Sequence, residues 1–471
     1  MCKLFRACLK LILDQRSVIS ALLVGATVLG ATKPSNALPA FARKYGMRCS
    51  ACHESWPMLN YFGQKFKDNG YQLMNDRDSP IWQNPSYWPV TFRITPIWHR
   101  VSTGKVAVDQ GTGVTRLTTS GFDLSGLDFH TGGTLEKNFS FYVLPSANNA
   151  ASFHFETVMA RLDNLFGSSW LNVKLGKFEL DNLLSEKRIL TLTGNGGIYQ
   201  LYHFTPVVSP SFGREVNIFG QMGDNQLGAE LMGHSYDDRT RYSAALLSSN
   251  NGSPGLPYGN AYTGFFTASQ AFDAGKLGVD RIGGYAMVGQ APTIYLTQNG
   301  GTTILAGSGR GNKSFHREGF VGQFYFGEHV DLQVVTQHGW DSVWFGQGYG
   351  DPIDFPGAPN NLPGSPGLPA GAQAPTWNGV LVEPHYIFSP QLIFVGRYET
   401  IRMSRQATAS NPSNLGNLST YTVGYRYNPF MTSRAGFAWH NEYNWLHSDG
   451  TSPFGTNLNV SELLLGFDFD F

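Results

Sequence analysis

Glu462-Leu463-Leu464-Leu465-Gly466-Phe467-Asp468-Phe469-Asp470-Phe471 closes the chain. Leu463, Leu465, Phe467, Phe469 and Phe471 take one set of alternate positions, and Glu462, Asp468 and Asp470 take the other. Successive side chains of a β-strand point to opposite faces, so this is a strand with an aliphatic and aromatic face backed by carboxylates. The same period recurs upstream, in Tyr421, Val423, Tyr425 and Tyr427 against Thr422, Gly424, Arg426 and Asn428, and in Leu171, Val173 and Leu175 against Asn172 and Lys174. One such stretch alone fits the edge of a soluble sandwich. Repeated along the chain, with Tyr, Trp and Phe crowding the strand ends, they predict a transmembrane antiparallel β-barrel with a polar lumen over 88–471.

Sixteen strands are expected, near 88–101, 117–130, 138–145, 152–163, 169–179, 226–236, 239–249, 261–272, 276–290, 316–327, 329–341, 377–388, 391–403, 419–428, 433–446 and 460–471. Within 180–222 the stretches 198–203 and 216–219 would raise the count to eighteen, or would belong to a loop folded into the lumen. Either count is even, as a barrel with both ends on one side of a membrane requires. Short connections at 237–238, 389–390 and 429–432 alternate with long ones at 291–315, 342–376, 404–418 and 447–459, the asymmetry of periplasmic turns and outer loops. The Pro- and Gly-dense stretch 355–374 is then an outer loop.

Composition agrees. Charged residues make up 14% of the 471 residues, where soluble domains average nearer a quarter, while aromatic residues make up another 14% and Gly numbers 55. The 34 basic and 34 acidic residues balance, so no strong field marks the chain for nucleic acid.

At the other end, Lys3, Arg6, Lys10 and Arg16 precede an apolar run over 18–31 and then Ser35-Asn36-Ala37, the layout of a secretory signal peptide spanning 1–37. The run is too short to count as a membrane span. Cleavage after Ala37 removes Cys2 and Cys8 and leaves two cysteines, both in Cys49-Ser50-Ala51-Cys52-His53. Two thiols three positions apart with an imidazole directly after them are the requirement for covalent c-type haem: the thiols add to the haem vinyls and the histidine meets the iron. A zinc half-site would need further ligands near by, and a redox dithiol has no use for the histidine.

Residues 38–80 form the segment around this motif. Pro39-Ala40-Phe41-Ala42-Arg43-Lys44-Tyr45-Gly46 reads as a short helix stopped by glycine. A second helix is expected from Pro57, with Leu59, Phe62 and Phe66 as its apolar stripe and Asn69-Gly70 as its end. Met47, Met58 and Met74 are the nearby thioethers. Met47 and Met58 lie too close to the attachment loop to cross the ring easily, so Met74 is the candidate distal ligand, against an iron left open or otherwise ligated. About forty residues with two short helices cannot cover a haem on all sides, so the segment must act as a plug borne by the barrel.

The run Leu38-Pro39-Ala40-Phe41-Ala42-Arg43-Lys44-Tyr45-Gly46-Met47, the motif itself, and then Pro57, Leu59-Asn60, Phe62-Gly63, Phe66-Lys67 and Gly70-Tyr71 resemble the fused monohaem cytochrome-porins of the bacterial outer membrane. The strand ending on Phe471 likewise resembles the C-terminal assembly signal of outer-membrane proteins. The detailed likeness spans about thirty-five residues. It implies one covalent haem c on Cys49 and Cys52, His53 as proximal ligand, and a haem plug in the lumen or at the periplasmic mouth. It also implies electron transfer across the outer membrane, from extracellular Fe(II) or another donor to a periplasmic carrier. Electron export to an external acceptor, and a diffusion porin whose haem plug is structural or sensing, are the alternatives. Outer-loop carboxylates such as Asp351 and Asp354 would gather cations at the mouth.

Overall fold

The computed structural model describes residues 39–55, 58–73, 80–81, 89–109, 113–147, 153–180, 191, 225–248, 256–257, 262–291, 294–296, 302–304, 312–341, 376–403, 417–431, 435–451 and 457–470. Sixteen strands close into one barrel. In chain order they are β1 (Val90–Asp109), β2 (Gly113–Glu136), β3 (Phe139–Ala147), β4 (Phe153–Leu162), β5 (Asn172–Glu179) and β6 (Asn225–His234). There follow β7 (Thr240–Ser248), β8 (Tyr262–Asp273), β9 (Val279–Ala291), β10 (Lys313–Tyr325) and β11 (Val330–Asp341). The last five are β12 (Thr376–Ser389), β13 (Leu392–Met403), β14 (Leu418–Met431), β15 (Gly436–Thr451) and β16 (Asn457–Asp470).

Every strand pairs antiparallel with its neighbours in sequence, and β16 returns to β1 in a register that sets Leu465 opposite Trp98 and Asp470 opposite Arg93. Closure abolishes the free edges that an open sheet would expose. It also decides the count. Across the longest connection, 180–224, β5 pairs directly with β6 from Asn172 opposite Met232 to Glu179 opposite Asn225, so the ring holds sixteen strands and has no place for two more. The candidate strands at 198–203 and 216–219 lie outside the described residues. Thr191, from the same connection, is buried against the inner wall: its hydroxyl donates to Glu383 Oε2 (2.8 Å) and accepts from Arg397 Nη1 (2.7 Å). The connection thus enters the lumen at this point.

All sixteen expected strands are present, and three local expectations fail. The helix predicted from Pro57 starts at Tyr61, because Met58–Leu59 is instead drawn into a small ribbon with His53–Ser55. Leu59 is therefore not on its stripe, and Phe62 is exposed while Phe66 is buried. The turn expected at 429–432 begins later, since β14 absorbs an irregularity between Tyr427 and Phe430 and runs on to Met431.

The third failure is the long connection expected at 447–459, since β15 runs on to Thr451 and β16 begins at Asn457. The outer wall is apolar as predicted, with Phe153, Phe155, Phe266, Phe320, Val423 and Leu465 exposed along alternate positions. The inner wall is polar around β14 to β1, where Thr420, Thr422, Arg426, His440, Asn444 and Asp468 are buried. Along β8 to β13 the buried Arg281, Arg317, Asp331, Glu383, His385 and Arg397 keep the wall polar, with Phe265, Phe315, Trp377 and Leu381 set among them. A lumen filled with water favours polar walls, whereas wall side chains packed away from water are free to be apolar. Among the described residues no helix is long and apolar enough to cross a membrane. An exterior of this character belongs in lipid, where only a closed barrel satisfies every backbone group of a β structure.

Candidate functional site

Among the described residues three α-helices precede the barrel: α1 (Pro39–Tyr45), α2 (Cys49–Cys52) and α3 (Tyr61–Asp68). Gly46 stops α1 in a left-handed conformation (φ +64°), which a residue with a Cβ adopts at a cost. α2 is a single turn, and it carries both cysteines of the motif. His53 follows it directly and is buried.

Asn60 and Gly63 join this turn to α3, and their roles were not read from the sequence. The Asn60 side chain caps α3 by accepting from the Gly63 N–H (2.9 Å), while its amide donates to Ala51 O (3.1 Å) and its backbone N–H to Cys52 O (2.9 Å). An Asn just ahead of a helix is a recognisable N-cap signal. That the same residue also ties the cap to the motif depends on where the two elements meet. Gly63 is the crossing point, and a Cβ there would run into the carbonyl of Cys52.

Around the turn lies an aromatic cluster. Phe41 stacks on Tyr71 with centroids 5.0 Å apart, Phe66 packs edge-on to Phe41 and Tyr45, and the Tyr45 hydroxyl donates to Tyr71 O (2.9 Å). Tyr71 in turn stacks on Tyr142 of β3, which carries the cluster to the barrel wall.

The wall holds this segment from many sides, at the end where the connections are short. Ala40 N–H donates to Thr91 Oγ1 (3.2 Å), Arg43 to Val90 O (2.7 Å) and Lys44 to Thr134 Oγ1 (3.2 Å). Arg161 of β4 donates to the α3 carbonyls of Lys67 (2.8 Å) and Asp68 (2.7 Å) and pairs with Asp163 (2.6 Å). Asp68 pairs with Arg241 of β7, Lys67 with Glu179 of β5 (3.2 Å), and the Tyr61 hydroxyl donates to Asp237 O. On the far side Tyr325 of β10 donates to Glu54 Oε1 (2.8 Å), and Gln333 of β11 donates to Met58 Sδ (3.1 Å). Burial, followed by the charge of Asp331, pushes the Glu54 carboxyl up to about 8. The segment is a plug joined to strands from β1 round to β11.

The predicted site residues fall out as follows. Cys49, Cys52 and His53 are contiguous on α2 and its exit, inside the plug. Met74 lies outside the described residues, as do residues 1–37 expected to form a signal peptide, Asp351, Asp354 and Phe471. Met58 is fully buried between its ribbon and the barrel wall, packed with Ile393 and Val395, so its thioether is committed to packing.

Two thiols and an imidazole on one short turn are a donor set that fits a covalent haem, and burial pushes the Cys52 thiol up to about 11.

No model of a known protein family matches the chain, and no curated protein matches it. Solved structures do resemble its barrel. The anion-selective porin from Comamonas acidovorans is 11% identical over 81% of this chain and 98% of its own, with a TM-score of 0.48. The outer membrane channel DcaP of Acinetobacter baumannii is 13% identical over 81% of this chain and 97% of its own (TM-score 0.45). OmpT, an outer membrane protein of Vibrio cholerae, is 10% identical over 82% of this chain and 99% of its own (TM-score 0.45). Likenesses at this level bring no activity with them. The barrel stands on its own strand pairing.

Proposed function

We propose that this chain is an outer-membrane c-type cytochrome-barrel that moves electrons across the membrane, with extracellular Fe(II) the preferred donor and a periplasmic carrier the acceptor. One observation carries the reading: the Cys49-Ser50-Ala51-Cys52-His53 turn is built into a plug bonded to the wall around one end of the barrel. A transport porin keeps a water-filled passage. Here the plug, whose Tyr45, Phe66 and Tyr71 share one buried cluster with Phe265, Phe315 and Trp377 of the wall, favours a filled lumen, and so a conduit for electrons over one for solutes.

Cys49 and Cys52 would hold the haem by thioether links, His53 would supply the proximal nitrogen, and Met74 is the candidate for the distal position. When bound, a haem c supplies one-electron redox chemistry at a potential tuned by its axial ligands and burial. The protein's own part is positional. Asn60 and Gly63 hold the attachment turn against α3, and the wall bonds hold α3 in the mouth. With a signal peptide directing export, both chain termini of the barrel and the short connections would face the periplasm, which would put the plug on the side of a periplasmic carrier.

Two experiments test this reading. Stopped-flow mixing of the oxidised holoprotein with Fe(II) should give the absorption change of haem reduction; no reduction at any tested pH removes Fe(II) as donor. Met74→Ala should shift the low-spin haem spectrum, and an unchanged spectrum takes Met74 out of the coordination sphere. Electron export shares the same site with the direction reversed. A diffusion porin with a structural haem would instead show sustained ion conductance in planar bilayers with the plug in place.

A further inference from the structure

His316 and Glu318 of β10 and His338 of β11 stand together on the outer wall of the barrel, remote from the plug. The strands alternate so that Phe315 and Arg317 are buried while Ser314, His316, Glu318 and Phe320 face outward. On β11 the outward positions are Val334, Thr336, His338 and Trp340. Glu318 and His338 are directly paired across the two strands, and His316 is paired with Trp340. One ligand atom from each of His316, Glu318 and His338 lies within 4.8 Å of the others, and His316 Nε2 is 3.7 Å from Glu318 Oε2.

Three ionisable groups on the lipid-facing side of a barrel need a reason, because charge on that face is costly near the midplane and tolerated only toward the edges. Phe320 and Val380 are exposed below the cluster, Val288 and Asn378 flank it at the level of His316 and His338, and Ser314 and Gln290 lie above it toward the long connection. The cluster therefore sits where the apolar band meets the rim carrying the long connections.

The rings are also held from behind. His338 Nδ1 is 2.9 Å from Asn378 Oδ1, an atom that only accepts, so in the neutral ring this contact places the proton on Nδ1 and leaves Nε2 to a metal. His316 stacks on Trp340 with centroids 5.4 Å apart and planes 11° apart. A carbonyl oxygen fixing the tautomer of a histidine is the usual support behind a metal ligand.

The geometry points to a binding site for a divalent transition-metal ion of the zinc class on the outer wall of this barrel, made by His316, Glu318 and His338. Two imidazoles and a carboxylate suit such an ion, and three protein ligands leave coordination positions for water at the membrane surface. Binding would neutralise Glu318 and clip β10 to β11 outside the hydrogen-bond ladder. The site is separate from the plug, so it stands whether or not the chain carries haem.

Calorimetric titration of the full-length protein in detergent with Zn(II) tests it. His316→Ala and His338→Ala should each bind one equivalent fewer than wild type, and Asn378→Ala should keep that equivalent but weaken it about tenfold to a hundredfold. His329→Ala, at an exposed turn histidine, should titrate as wild type does. Both ligand variants unfold only on harsh treatment if the outer wall tolerates them, and a heat-modifiability gel checks that the barrel is intact. Equal stoichiometry and affinity in wild type and in both intact ligand variants overturns the site.

Discussion

Arg161→Met should unseat the plug. Arg161 is 1% exposed, and its guanidinium serves three partners: the Lys67 and Asp68 carbonyls at the end of α3 and the carboxylate of Asp163. A cation at a helix C-terminus is favourable in itself. The larger effect is what the substitution leaves behind, a buried Asp163 that loses its cation and keeps the Ser140 hydroxyl as a donor at 2.6 Å. Breaking one side of a buried ion pair costs about 3–5 kcal/mol, a large share of what holds so small a segment in place. Limited proteolysis should then cut within 39–73 much faster than in wild type, and bilayer recordings should show larger conductance. Arg239→Ala is the matched control, because its pairing with Asp237 is solvent-exposed on both sides and screened by water. Equal protection of 39–73 in Arg161→Met and wild type would mean the plug is held without this guanidinium.

Gly63→Val should stop haem attachment while sparing the barrel. Its Cβ would have to occupy the space of the Cys52 carbonyl and α-carbon, so α3 must move away from the motif or the motif must deform. Overpacking of this kind costs about 1–3 kcal/mol, enough to lower the docked population about tenfold to a hundredfold. The displacement also breaks the Asn60 link from the α3 cap to Ala51 and Cys52. Covalent haem per barrel, read by haem-stained denaturing gels, should fall accordingly. Gly121→Ala, at a glycine with open space around it, should load as wild type does. Full covalent loading of Gly63→Val would show that the α2–α3 contact does not shape the attachment turn.

The outer wall and the closing strand were legible because they obey a local rule. Leu463, Leu465, Phe467 and Phe469 alternate with Leu464, Gly466 and Asp468, and the structure turns the second set inward as the two-residue period demands. The polar inner wall was legible by the same rule, but the apolar side chains set into it were not: Phe265, Phe315 and Trp377 belong to strands whose outward residues are also apolar in places, so no alternation announces them. The helix expected at Pro57 failed for a similar reason: the stripe of Leu59, Phe62 and Phe66 has helical spacing, but pairing of Met58–Leu59 with His53–Ser55 outweighs it.

By itself the sequence determined the barrel, an even count of sixteen or eighteen strands and the chemistry offered at Cys49, Cys52 and His53, since period, turn length and motif spacing are all properties of neighbours along the chain. Only the tertiary structure decided that the motif lies in a plug at the short-connection end, that Arg161 and Arg241 bind α3 from strands nearly a hundred residues or more away, and that two histidines and a glutamate meet outside the wall. Those contacts form between segments distant in sequence, where ring closure and strand register set which side chains come together, and neither can be read from any one stretch.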